Sequence, residues 1–320
     1  MKKIGRRDFL KGVTAGTGLV VASKVQPVYA RVEKKELPPD ALGILYDATL
    51  CIGCQACVVA CKQANNMPAE HSGPETIWDN PRDLSAKTLN IIKKYSNGSG
   101  KDKNREVDGY SFIKRQCMHC ADPACVSACP VSALTKDPVN GIVSYNKDAC
   151  IGCRYCQVAC PYNIPKFEWN SPFPQIRKCQ LCSHLIAKGG MSACCAFCPT
   201  GASLFGRVKD LLNEAKKRLG YSPGTYYQYP VASIDSGEMQ THQAAQYVPT
   251  IYGENELGGT QVFYLAGVPF AKLGLPDLPA KSYASVADGI QYAIYKGMFY
   301  PLVVLGGLIY MIRKGEEKKE

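Results

Sequence analysis

Sixteen of the seventeen cysteines in this 320-residue chain fall into four short runs. The first run is Cys51, Cys54, Cys57 and Cys61, and the third is Cys150, Cys153, Cys156 and Cys160; each has two residues between its first three cysteines and three before its last. The second, Cys117, Cys120, Cys125 and Cys129, has a gap of four in its middle, and the fourth, Cys179, Cys182, Cys194 and Cys198, a gap of eleven. Three thiolates from one short turn can each bind a different iron of a single cubane, while the fourth reaches to a neighbouring one. The spacing therefore points to four 4Fe-4S clusters and to one-electron chemistry.

Other uses of so many thiols fit less well. An odd number of cysteines cannot pair completely as disulfides, and bunching in runs favours metal. Structural zinc draws two ligands from each of two separated knuckles, whereas here three thiols crowd one turn. Pro130, Pro161 and Pro199 follow three of the closing cysteines and Lys62 follows Cys61; proline ends the turn and sends the chain toward a second cluster. Either Cys194 or Cys195 could close the fourth run, but Cys194 restores the three-residue spacing to Cys198, so Cys195 reads as a small buried residue. His119 lies inside the second run, where the thiolates already suffice.

Short alternating segments at Leu42–Tyr46, Tyr110–Ile113, Ile142–Tyr145 and Ala202–Phe205 flank the cysteine runs and read as the brief strands of a ferredoxin-like repeat, itself duplicated. Residues 63–106 are polar and read as a surface insertion. Arg207–Leu219 reads as an amphipathic helix with Val208, Leu211, Leu212, Ala215 and Leu219 on one face. Residues 221–288 hold no catalytic constellation, so the chain reads as a conductor of electrons and not as a site of bond chemistry.

Gly5-Arg6-Arg7-Asp8-Phe9-Leu10-Lys11, a weakly apolar stretch and Val28-Tyr29-Ala30 read as a twin-arginine export signal. Export in the folded state would keep ligand thiolates occupied on the way to an oxidising compartment. The signal carries five of the eleven net positive charges and leaves six, which the negative charge of bound clusters offsets, so no nucleic-acid partner is expected. Met298–Ile312, extended back to Tyr292, reads as one tilted transmembrane helix followed by the basic residues Arg313, Lys314, Lys318 and Lys319.

The expected fold class is therefore α+β, a duplicated ferredoxin-like dicluster domain with a C-terminal transmembrane helix. Its expected parts are a signal over 1–30, a four-cluster domain over 31–206, a helix and irregular extension over 207–290, a transmembrane helix over 291–312 and a cytoplasmic tail over 313–320.

The motifs Cys117-Met118-His119-Cys120, Cys150-Ile151-Gly152-Cys153-Arg154-Tyr155-Cys156 and Cys160-Pro161-Tyr162-Asn163 resemble those of the four-cluster subunits of membrane oxidoreductases. Within that group, Leu45-Tyr46-Asp47, Cys51-Ile52-Gly53-Cys54-Gln55-Ala56-Cys57 and Tyr295-Lys296-Gly297-Met298 resemble the iron-sulfur subunit of hydrogenase-2-type nickel-iron hydrogenases. The resemblance implies crossed ligation. Cys51, Cys54, Cys57 and Cys198 would hold one cluster, and Cys61, Cys179, Cys182 and Cys194 its neighbour. Cys117, Cys120, Cys125 and Cys160 would hold a third, and Cys129, Cys150, Cys153 and Cys156 a fourth. It further implies the small and large subunits of a nickel-iron hydrogenase and a polytopic quinone-reactive membrane subunit as partners, with the chain at the periplasmic face of the inner membrane. The competing implication is the beta subunit of an exported molybdopterin enzyme such as formate dehydrogenase.

Overall fold

The computed structural model describes residues 35–316 apart from Ser72, Pro74 and Glu75. The export signal expected over 1–30 lies outside the described residues. The described chain divides into a body ending at Ala284 and a separate helical unit after it. In the body the strands are β1 (Leu42–Asp47), β2 (Ile91–Ser96), β3 (Asp102–Lys103), β4 (Gly109–Arg115), β5 (Leu134–Lys136), β6 (Val143–Tyr145), β7 (Lys166–Phe167), β8 (Ile176–Arg177), β9 (Ser203–Arg207), β10 (Tyr226–Pro230), β11 (Met239–Gln243) and β12 (Val262–Leu265). The helices are α1 (Ala56–Ala64), α2 (Ala124–Ser127), α3 (Tyr155–Ala159), α4 (Ser183–Ile186), α5 (Ala193–Ala196) and α6 (Val208–Leu219), and α7 (Tyr283–Glu316) follows.

The central sheet has the order β12-β1-β9, with β1 parallel to β12 and antiparallel to β9. Side chains alternate across it, as the period of two requires. Leu45, Leu204, Phe263 and Leu265 pack under Leu211 and Ala215 of α6, so the amphipathic helix read from the sequence covers that face. Ile44, Tyr46, Phe205, Val262 and Tyr264 point the other way, into the core that also holds Cys51, Cys57, Cys61, Cys117, Cys179 and Cys194. The sheet thus serves as a wall, one face sealed by α6 and the other turned to the thiols.

Two segments differ from expectation. The stretch read as a polar surface insertion contributes β2, which pairs with β4 along its whole length and buries Ile91 and Ile92. The stretch read as irregular extension supplies β12, the third strand of the central sheet. Its entry is tight, because a Cβ at Gly43 would stand 2.1 Å from the Gln261 carbonyl oxygen, the acceptor for the Ile44 N–H at 3.0 Å. Gly43→Ala is expected to destabilise the body by about 1–3 kcal/mol through overpacking, lowering its melting temperature by several degrees, while Gly220→Ala, with nothing nearer than 3.4 Å to its new Cβ, leaves it unchanged.

The expected transmembrane helix is corrected by the structure. Helix α7 spans 34 residues, but among the described residues no helix is both long and apolar enough to cross a membrane. Length is not what fails. The uncharged run Met298–Ile312 is fifteen residues, about 22 Å of helix against roughly 30 Å of hydrocarbon. Lys296 and Arg313 bound it, and Gly306 and Gly307 dilute it. Neither the anchor in the expected fold class nor an anchored location at the inner membrane is therefore supported.

Candidate iron-sulfur sites

Local sequence shapes each cysteine turn by placing residues that tolerate a left-handed backbone. In the first turn Gly53 has φ 72° and Gln55 φ 60°, and in the third Gly152 has φ 71° and Arg154 φ 65°. These kinks turn backbone N–H groups inward. Gly53 N–H donates to Cys51 Sγ at 3.4 Å and Gly152 N–H to Cys150 Sγ at 3.4 Å. Further donors are Ala133 N–H to Cys129 Sγ at 3.2 Å, Leu181 N–H to Cys179 Sγ at 3.4 Å and Ser203 N–H to Cys198 Sγ at 3.3 Å. Hydrogen bonds of this kind set the potential of a thiolate-held cluster. A tyrosine five residues upstream stands beside each turn: Tyr46 lies in the field of Cys51 and donates its hydroxyl to the Phe112 carbonyl at 3.0 Å, and Tyr145 lies in the field of Cys150 and accepts from Ile176 N–H at 3.3 Å. The repeated positions are the duplication seen as geometry.

Two quartets surround cavities. Cys51, Cys54, Cys57 and Cys198 line one of about 300 Å³ beside Tyr46 and Ser203. Cys129, Cys150, Cys153 and Cys156 line another of about 300 Å³ beside Tyr145. The other two quartets are tied by mutual repulsion of their thiolates. Cys61 lies in the field of Cys194 and Cys182, and Cys179 in that of Cys61, Cys182 and Cys194. Cys120 feels Cys117, Cys160 and Cys125. Each group collects cysteines from distant parts of the chain.

The groups also follow one another within electrostatic reach. Cys57 of the first lies in the field of Cys194 of the second, Cys179 of the second in that of Cys117 of the third, and Cys125 of the third in that of Cys156 of the fourth. That is a row, from the quartet around Cys51 to the quartet around Cys150.

The donor set suits clusters. All seventeen cysteines are free thiols. Burial pushes the Cys61 thiol up to about 12, Cys125 to about 12 and Cys156 to about 11, so these groups stay protonated until a metal centre displaces the proton. Among the described residues no three His, Cys, Asp or Glu are placed to hold a single metal ion. Cys195 is fully buried and hydrogen-bonds Cys194, which it holds below the usual thiol range. His119 is buried and neutral, its Nδ1 accepting from Val143 N–H at 3.1 Å.

Two buried lysines, Lys114 and Lys178, and the half-buried Lys136 escaped the sequence reading. Lys114 is fully buried and its Nζ donates to Ser203 Oγ at 3.2 Å. Burial lowers its pKa, but the nearby Cys194 and Cys57 sulfurs outweigh that and raise it above the ordinary lysine value. Lys178 donates to the Val143 carbonyl and, at 3.0 Å, to that of Cys179. Lys136 donates to Cys120 O at 2.9 Å and Gly141 O at 2.7 Å, and burial lowers it to about 8. Lysine on an alternating strand reads as the wet face; only the cysteines around it reverse that.

Comparison with known proteins adds three findings. A family profile described as "4Fe-4S dicluster domain" matches residues 109–208. The chain is 47% identical over 315 residues to the hydrogenase-2 operon protein HybA of Escherichia coli O157:H7, covering 97% of this chain and 95% of the relative, and equally so to that of Shigella flexneri. It is 34% identical over 265 residues to the nitrate-inducible formate dehydrogenase iron-sulfur subunit of Escherichia coli K12, covering 82% and 79%.

Proposed function

Because the chain belongs to the family of the hydrogenase-2 operon protein HybA, we propose that it is the electron-transfer subunit of a hydrogenase of that type. In this reading Cys51, Cys54, Cys57 and Cys198 hold the first of four 4Fe-4S clusters, and Cys61, Cys179, Cys182 and Cys194 the second. Cys117, Cys120, Cys125 and Cys160 hold the third, and Cys129, Cys150, Cys153 and Cys156 the fourth. Bound clusters supply one-electron carriers at each site. The protein's part is to hold them in a row, exclude water from the inner two and aim N–H groups at the ligand sulfurs. The observation that supports the reading is that a thiol of each quartet lies in the field of a thiol of the next.

The row's two ends need different partners: the small and large subunits of a nickel-iron hydrogenase at one, and a polytopic quinone-reactive membrane subunit at the other. Such a partner would supply a membrane attachment. A twin-arginine signal over residues 1–30 would then export the folded, loaded body.

The test is reduction of the purified complex under hydrogen. The clusters of this chain are expected to reduce under hydrogen and to stay oxidised with formate. Reduction by formate alone would move the chain to the formate dehydrogenase branch, whose iron-sulfur subunits it also resembles.

A further inference from the structure

Between the first and second quartets lies a single buried cation. Lys114 is completely buried on β4, its Nζ 3.2 Å from Ser203 Oγ. Ser203 in turn donates its backbone N–H to Cys198 of the first quartet at 3.3 Å. The same ammonium group also lies in the field of Cys194 of the second quartet and of Cys57 of the first. It therefore stands between the two quartets, tied to the first through one serine and electrostatically coupled to the second. Lys178 stands one step further along, its Nζ on the Cys179 carbonyl of the second quartet at 3.0 Å and within the field of Cys125 and Cys160 of the third, while Lys103 and Lys136 each face a single quartet. Lys103 reaches the Thr49 carbonyl at 2.7 Å beside Cys51 alone, and Lys136 faces only Cys120, Cys117 and Cys125 of the third quartet.

A buried charge costs several kcal/mol in desolvation unless opposite charge surrounds it. Four-thiolate clusters provide that charge, and each reduction adds one more negative unit at short range in a medium of low dielectric. A fixed cation there favours the reduced form of both neighbours and lessens the repulsion between two adjacent reduced clusters. We propose that Lys114 is a positioning residue of the relay, a shared counter-ion that raises the reduction potentials of the first two sites together. This rests on the assignment of clusters to the two quartets.

The test is a potentiometric titration of the iron-loaded protein, followed by low-temperature electron paramagnetic resonance, on wild type, Lys114→Met, Lys114→Gln and Lys114→Arg. In the Met and Gln proteins two midpoints are expected to fall by at least tenfold in the reduction equilibrium, about 59 mV each for a one-electron couple, while the others hold. Lys114→Arg keeps the charge and should restore both. Unchanged midpoints in the Met and Gln proteins overturn the proposal, as does a shift spread evenly over all signals. Loss of irons in Met and Gln but not in Arg also overturns it, since the cation would then serve assembly. The wild-type iron content separates the two claims: a wild type without iron refutes the cluster assignment, whereas an iron-loaded wild type with unmoved variants refutes only the role of Lys114.

Discussion

Cys61→Ala is expected to damage the second site and spare the first, although Cys61 belongs to the first run of the sequence. Cys61 sits on α1 after the three ligands of its own loop, and its sulfur lies among Cys194 and Cys182, more than a hundred residues away in the chain. The loss should be about one iron if the cluster survives on three thiolates and roughly four if it does not. Double variants identify the site. Cys61→Ala with Cys182→Ala should lose at most the roughly four irons of one cluster, because both act on one site, whereas Cys61→Ala with Cys54→Ala should draw iron from two clusters. Electron transfer along the row should collapse in every protein lacking the second cluster. Cys195→Ala, the adjacent thiol, should keep its full iron content. A loss of more than about four irons from Cys61→Ala with Cys182→Ala would reject crossed ligation.

The second large effect concerns stability and lies outside the cysteines. Arg218 at the end of α6 is fully buried, with Nε 2.9 Å from Glu214 Oε1, Nη1 3.1 Å from Asp47 Oδ2 and its guanidinium over the Tyr229 ring at 4.9 Å. Asp47 closes β1 and also accepts from Tyr247 OH at 2.8 Å and Thr49 Oγ1 at 2.6 Å. One arginine thus ties α6 to the strand that leads into the first cysteine turn. Arg218→Met leaves the buried Asp47 without a cation and Glu214 with only Lys217 at 3.7 Å, which costs about 3–5 kcal/mol and lowers the melting temperature by roughly 10 °C or more. Asp47→Asn in the same protein should recover part of the loss. A melting temperature within about 2 °C of wild type would mean that the network contributes little.

What could be read in the sequence was whatever depends on covalent spacing. The cysteine runs, the strands beside them and α6 follow from periods of two, three and 3.6 residues. What could not be read depends on partners far away in the chain. Val262–Leu265 is apolar on both faces, since α6 lies over one side of it and the thiol core over the other, so no alternation marks it. Ile91 and Ile92 are two buried residues in a polar stretch. Lys114 and Arg218 carry charge into the interior, and their counter-charges come from other elements. The expected membrane helix was misjudged for the opposite reason: a local apolar run was extended through Lys296 to reach the required length.

The measurement that bears most directly on the central claim is the iron and zinc content of anaerobically purified protein, with low-temperature electron paramagnetic resonance of the reduced sample. Four clusters in a row predict about sixteen irons per chain and broadened, mutually interacting signals from neighbouring centres. About four zincs with no signal on reduction would contradict the relay and leave the four quartets as structural metal sites.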